Sequence, residues 1–200
     1  MNSPESYSQL LKLSLDENYE SDNIYARGSA KQRERVWFVA EQCAKAYPGD
    51  LIEIGAYHGE TTVGLCRIAK LYNRRVIVVD PYEPGTQNVD TGNEYQTFLN
   101  NTSEFRELID HYKMSSLDPH VIEAIKNRPL CFAFVDGLHN YEAATSDLKA
   151  VSHTEGVIAL DDVTWSSEVN QAGKEFASRL WIGFHIHGNR EIFFIRNHQA

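Results

Sequence analysis

The residues best equipped for chemistry in this 200-residue chain are acids and glycines that recur just after short apolar runs. Glu53-Ile54-Gly55-Ala56-Tyr57-His58-Gly59-Glu60-Thr61 follows one run, Asp80 closes the next, Asp136 a third and Asp161-Asp162 a fourth. Gly55 permits a sharp turn out of a strand, and Gly59 lets the backbone approach a ligand closely where a helix opens. An acid just ahead of the first glycine would repel phosphate and suits a cationic amino-acid ligand. The three-glycine dinucleotide fingerprint G-x-G-x-x-G is absent. Asp80 lies 25 positions after Gly55, where an acid can accept both hydroxyls of a ribose; the same residue could equally be a cap before Pro81.

His139 follows Asp136 by three positions. An imidazole titrates near neutrality, so His139 is a candidate general base, with Asp136 beside it as its partner in catalysis. It could instead orient Asp136 or touch a ligand. His58 sits within the glycine loop. His185 and His187 alternate with apolar residues along a strand and read as one polar face, with an H-x-H metal pair as the lesser alternative. Tyr57, Tyr82, Tyr141 and Trp165 fall beside the presumed cleft; aromatics there can flank a ligand, although packing is their commoner use.

These residues need elements to hold them. Val36, Trp37, Ala40, Cys43, Ala44 and Tyr47 recur at helical spacing from Lys31, and Pro48-Gly49 stops that helix. Leu51–Gly55, Val76–Asp80, Cys131–Asp136 and Val157–Asp161 read as buried strands, the second β-branched throughout before its aspartate. Helices are predicted over Thr61–Leu71, Glu94–Asp110, Pro119–Asn127, Tyr141–Val151 and Glu168–Leu180, with a weakly signalled strand over Tyr112–Ser116. Pro81–Asn93 reads as a polar loop. Phe184–His187 and Glu191–Arg196 flank Gly188-Asn189, which suits a tight hairpin. Alternating strands and helices imply an α/β fold, a parallel sheet with helices on both faces. In such a sheet ligands bind at the carboxyl ends of the strands, where all four acid-bearing runs end. Residues 1–30 read as a polar arm or lid on a single domain over 31–200.

The stretches Glu53–Thr61, Asp80, Val135-Asp136-Gly137-Leu138-His139-Asn140-Tyr141-Glu142 and Gly156-Val157-Ile158-Ala159-Leu160-Asp161-Asp162 together resemble class I methyltransferases. More narrowly they are similar to a small-molecule branch that includes macrolide-sugar O-methyltransferases, with a strand ending D-G-x-H-x-Y and a later G-x-x-x-x-D-D. The likeness spans about residues 50–165. Tyr57 departs from it, replacing the middle glycine of the commoner E-x-G-x-G-x-G loop. The resemblance implies a Rossmann-like, doubly wound, mostly parallel seven-stranded sheet closed by an antiparallel C-terminal hairpin. It implies S-adenosylmethionine as methyl donor, with Glu53, Gly55, Tyr57 and Gly59 at its methionine part, Asp80 at its ribose, Ser116 near its adenine and Asp136 at its edge. It also implies a divalent metal on Asp136, Asp161 and Asp162. Oxygen-only ligands suit Mg²⁺, and three carboxylates at one place repel one another without a cation. Alternatively Asp161 caps a turn and Asp162 faces water.

Composition narrows the partners. The formal net charge is −9, so a phosphate-tracking nucleic-acid role is not expected. No apolar run is long enough to span a membrane, and Met1–Ser14 lacks a signal-peptide core. Cys43, Cys66 and Cys131 fit neither a disulfide framework nor a zinc motif, so reduced buried thiols in a cytoplasmic protein are expected. The partners expected are a small hydroxylated acceptor and a second copy in a homodimer. Two rivals remain, a nicotinamide-dependent oxidoreductase on the same topology and a non-catalytic nucleoside-binding module.

Overall fold

In the computed structural model, which describes residues 30–83, 92–178, 180–185 and 189–197, the apolar runs become one twisted sheet. Chain order is α1 (Ala30–Ala46), β1 (Asp50–Ile54), α2 (Glu60–Tyr72), β2 (Val76–Val79), α3 (Glu94–Asn101), a 3₁₀ turn (Ser103–Leu108) and β3 (Ile109–Tyr112). It continues with α4 (Pro119–Lys126), β4 (Leu130–Val135), α5 (Tyr141–Ala150), β5 (Val157–Leu160), α6 (Ser167–Phe176), β6 (Trp181–His185) and β7 (Ile192–Arg196). The sheet order is β3-β2-β1-β4-β5-β7-β6. Strands β1 to β5 are parallel to their sheet neighbours among them, whereas β7 runs antiparallel to both β5 and β6. The fold is the expected Rossmann-like, doubly wound α/β arrangement.

Strand alternation sorts the core into two layers. Leu51, Val76, Val78, Phe132 and Phe134 pack toward α1 and α2. Ile52, Ile54, Ile77, Val79 and Val135 pack toward α4, α5 and α6. Sheet order reverses between β1 and β4, because β1 is followed in space by β2 on one side and β4 on the other. That is the switch point where an α/β sheet opens a crevice. The three cysteines are buried and unbridged. No helix among the described residues is long and apolar enough to cross a membrane.

Four expected boundaries shift. The helix predicted over Glu94–Asp110 stops at Asn101, and β3 lies at Ile109–Tyr112 rather than Tyr112–Ser116. Thr102 turns its hydroxyl back onto the carbonyl of Phe98 at 2.7 Å, a bond that competes with helix continuation. The polar residues that hid the strand have partners from distant elements. Asp110 pairs with Arg75 and Arg128, and His111 packs among the rings of Tyr82, Tyr95 and Phe98. Likewise the last helix ends at Phe176 instead of Leu180. Ser178 and Trp181 exchange backbone hydrogen bonds, so β6 begins at Trp181, three residues before the predicted Phe184. The predicted arm over 1–29, most of the loop after Pro81 and the hairpin tip at Gly188 lie outside the described residues, as do His187 and the side chain of His185.

The two helices on the glycine-loop side are tied together closely. The Trp37 indole N–H donates to the carbonyl of Thr61 at 3.0 Å, and its ring fills the space a side chain at Gly64 would need. A Cβ there would stand 2.1 Å from the indole. Gly64→Ala is therefore expected to destabilise the protein by about 1–3 kcal/mol despite alanine's better helix propensity. Denaturant unfolding checks it, and an unchanged or raised midpoint refutes the packing argument.

Candidate functional site

The glycine loop leaves β1 through three residues in the left-handed region, Gly55 (φ +86°), Tyr57 (φ +47°) and Gly59 (φ +79°). Steric demand from the protein itself explains both glycines. A Cβ on Gly55 would lie 1.9 Å from the carbonyl oxygen of Asp136, and one on Gly59 would lie 2.8 Å from the Phe98 ring. The freedom first read as room for a ligand is thus also needed to press loops together. Tyr57 occupies a conformation glycine would adopt freely, and its ring stacks on His58 with centroids 3.7 Å apart.

Asp80 offsets that strain. One carboxylate oxygen accepts the N–H groups of Ala56 at 2.8 Å and Tyr57 at 2.9 Å. The other accepts Tyr82 N–H at 2.8 Å. A carboxylate has about four lone-pair sites, so acceptor capacity remains beyond these bonds. Glu53, by contrast, lies fully beneath the loop and accepts the Thr62 hydroxyl at 2.5 Å. Burial pushes its carboxyl well above the ordinary range, partly offset by Thr62. Held this way, Glu53 supports the loop from below through Thr62.

Across the switch point, β4 delivers Asp136 and His139, and β5 delivers Asp161 and Asp162. His139 Nε2 lies 2.6 Å from Asp162 Oδ2 and 3.8 Å from Asp136 Oδ1. One ligand atom from each of Asp136, His139 and Asp162 falls within 4.8 Å of the others. Asp161 stands outside this group, because its Oδ1 accepts the N–H of Asp162 at 2.7 Å. The carboxylates expected for Mg²⁺ still meet at one place, with an imidazole beside Asp136 and Asp162. Such a mixed nitrogen and oxygen set fits a borderline divalent ion better than Mg²⁺.

Arg190, which no sequence pattern pointed to, folds back from the start of β7 onto Asp162 Oδ1 and lies 3.7 Å from Asp161 Oδ2. The acids thus meet a cation supplied by the chain itself. Burial pushes Asp162 up, but His139 and Arg190 outweigh it and hold that carboxyl below its usual value. Asp136 goes the other way, lifted by burial to about 6. Asp161, buried beside both other acids, is also raised. For His139, burial alone would lower the pKa; its bonds to Asp136 and Asp162 prevail and raise it to about 9. The near-neutral titration expected of His139 is not what this environment produces.

Among the aromatics, Trp165 alone stands open at the cluster. It is 62% exposed and meets His139 edge-on with centroids 4.7 Å apart. Ser166 Oγ donates to the His139 carbonyl at 3.1 Å, joining the loops after β4 and β5. Tyr141 is tied to α6 through Glu168 and Glu175, and Tyr82 packs into the ring cluster with His111.

The chain matches the model of the methyltransferase domain over residues 52–163. It belongs to the methyltransferase domain family. That span holds the glycine loop, Asp80, Asp136, His139, Asp161 and Asp162. Comparison with curated proteins finds none that matches. Among solved structures, the apo form of CalS11, a TDP-rhamnose 3'-O-methyltransferase of calicheamicin biosynthesis, superposes with TM-score 0.63 at 14% identity, covering 100% of this chain and 97% of that one. An O-methyltransferase from Bacillus cereus in complex with SAH gives 0.61 at 13% identity, covering 98% and 93%. SAH-bound PaMTH1 of Podospora anserina gives 0.62 at 12% identity, covering 98% and 89%. At these identities the likeness is one of fold.

Ser116 lies within reach of Asp147 of α5, another residue the sequence reading missed. Asp147 is 1% exposed, and its Oδ2 would lie 2.9 Å from a Cβ on Gly137. Its signal was a carboxyl on the apolar side of a helix, level with Ala143, Ala144 and Leu148. Burial pushes its pKa up to about 7, partly offset by Ser116. A pKa raised on folding makes the native state hold a proton that the unfolded chain releases near pH 3.9. Stability is then lost progressively as pH rises from there to about 7, and the penalty is full above it. Asp147→Asn removes that penalty. Its advantage over wild type should grow between about pH 5 and pH 8, at about 1.4 kcal/mol per unit of pKa shift. Thermal melts at both values test this, and a pH-independent difference refutes it.

Proposed function

We propose that the chain transfers a methyl group from S-adenosylmethionine to a hydroxyl of a small-molecule acceptor. The observation that carries this is the contact of Gly55 with the backbone of Asp136, which puts a donor-type loop against an acid and imidazole cluster at one sheet edge. Likeness to sugar and other O-methyltransferases supports a hydroxylated acceptor.

When bound, the donor supplies a methyl carbon on a sulfonium that leaves as a neutral thioether. The Gly55–Gly59 loop would hold its amino-acid end, with Glu53 bracing that loop. Asp80 would use its remaining acceptor capacity on the ribose. Ser116 would approach the adenine. Asp136, ionised above about pH 6, would take the acceptor's proton as its oxygen forms the new bond to carbon. His139 in its cationic form would hold Asp162 and stabilise the negative charge growing on that oxygen. A divalent ion on Asp136, His139 and Asp162 would require His139 to be neutral and, when bound, would supply the acidification of the hydroxyl in place of the imidazolium. Positioning provides much of the rate, since the methyl must pass in line between two heavy atoms.

Calorimetry with S-adenosylhomocysteine should show binding, and NADH should show none. Asp80→Ala should weaken the homocysteine ligand about tenfold or more, the loss of a charge-assisted bond. Asp136→Asn should keep that affinity while lowering methyl transfer to a hydroxylated acceptor by about 10²–10⁴-fold. Failure to bind S-adenosylhomocysteine, or NADH binding in its place, overturns the reading.

A further inference from the structure

Asp162 has both carboxylate oxygens engaged by groups of the chain itself. Oδ2 faces His139 Nε2 at 2.6 Å, and Oδ1 is held by the Arg190 guanidinium. Arg190 is fixed in place at backbone level. Its carbonyl accepts Val163 N–H at 2.8 Å, one residue beyond Asp162. The next residue, Glu191, is buried and paired with Arg35 of α1 at 2.5 Å. Arg190 and the residue after it are therefore anchored, and the carboxylates its guanidinium pairs with among the described residues are Asp161 and Asp162. A cation seated between Asp136, His139 and Asp162 would have to part the His139 nitrogen from Asp162 Oδ2 and share with the guanidinium the carboxylate whose Oδ1 it holds. It would also stand within a few ångströms of a charge that arginine cannot shed.

We infer that Arg190 is the resident counter-ion of this acid cluster and competes directly with a divalent cation for Asp162. The consequence for catalysis rests on the proposed function, but the competition itself needs neither donor nor acceptor. The charge that stabilises the paired carboxylates is then covalently part of the protein. A divalent ion occupies the cluster only where its concentration overcomes that repulsion.

Mn²⁺ is the probe, followed in the full-length protein by electron paramagnetic resonance of the free ion, with Mg²⁺ followed by calorimetry. The wild type should bind Mn²⁺ no tighter than the millimolar range. Arg190→Gln and Arg190→Met should each bind it about tenfold or more tightly, the effect of removing a like charge a few ångströms away. Arg190→Lys should stay close to wild type, and Asp162→Asn in the Arg190→Gln background should abolish the gain. Micromolar binding by wild type, no gain in either neutral variant, or an equal gain in the lysine variant overturns the inference. Circular dichroism checks that the variants fold. If neither neutral variant does, the wild type still decides. Its Arg190 Nε–H resonance should not move on addition of Mg²⁺ up to millimolar levels, and a saturable shift below that overturns the proposal. Binding of S-adenosylhomocysteine, measured separately, reports on the function and not on this competition.

Discussion

The site depends on backbone meeting backbone at the top of β1 and β4. Gly55 lies so close to the Asp136 carbonyl that no side chain fits between them. Parallel pairing of the two strands, from Leu51 opposite Phe132 to Ile54 opposite Val135, brings the loops to that contact. The Asp136 N–H then continues the ladder onto the Ile54 carbonyl at 2.7 Å. A glycine loop and an acid and imidazole cluster that grow from adjacent strands in this way need no further element to align them. The precision comes from the sheet, whose central strands are buried on both faces.

Asp80 is the second constraint. Its carboxylate joins β2 to the glycine loop by accepting two successive N–H groups, one of them from the left-handed Tyr57. This accounts for a tyrosine at a place where related loops carry glycine: the strain of its backbone is compensated by charge-assisted hydrogen bonds. A residue read from sequence as a ligand acceptor is a structural brace, and its bracing bonds leave a lone pair for the proposed ligand role.

Charge at the acid cluster is settled by neighbours from remote parts of the chain. Asp136, Asp161 and Asp162 come within reach of one another, yet their protonation diverges because each faces a different environment. Asp162 faces Arg190 and His139 most directly, whereas partly exposed Asp136 and buried Asp161 have more distant cations to offset their neighbours. Separation of titration among like groups is a common property of sites that move protons.

Much of the fold was legible in the sequence. Val76–Val79 and Leu130–Val135 are so apolar that only a strand buried on both faces suits them, and the acids that follow them had to emerge at one edge. The chain by itself also announced Gly55, Asp80, Asp136 and His139, because each sits at a fixed offset from such a run. It did not announce β3, where Asp110 and His111 look exposed until Arg75, Arg128 and the aromatic rings of α3 surround them. Nor did it single out Arg190, Asp147 or Thr62. Local pattern determines which segments are buried and where they end, since burial period is a property of neighbouring residues. Which side chains meet across those ends, and with what charge, was decided only by tertiary packing, since those contacts join residues far apart along the chain and the pKa of each group follows from what surrounds it.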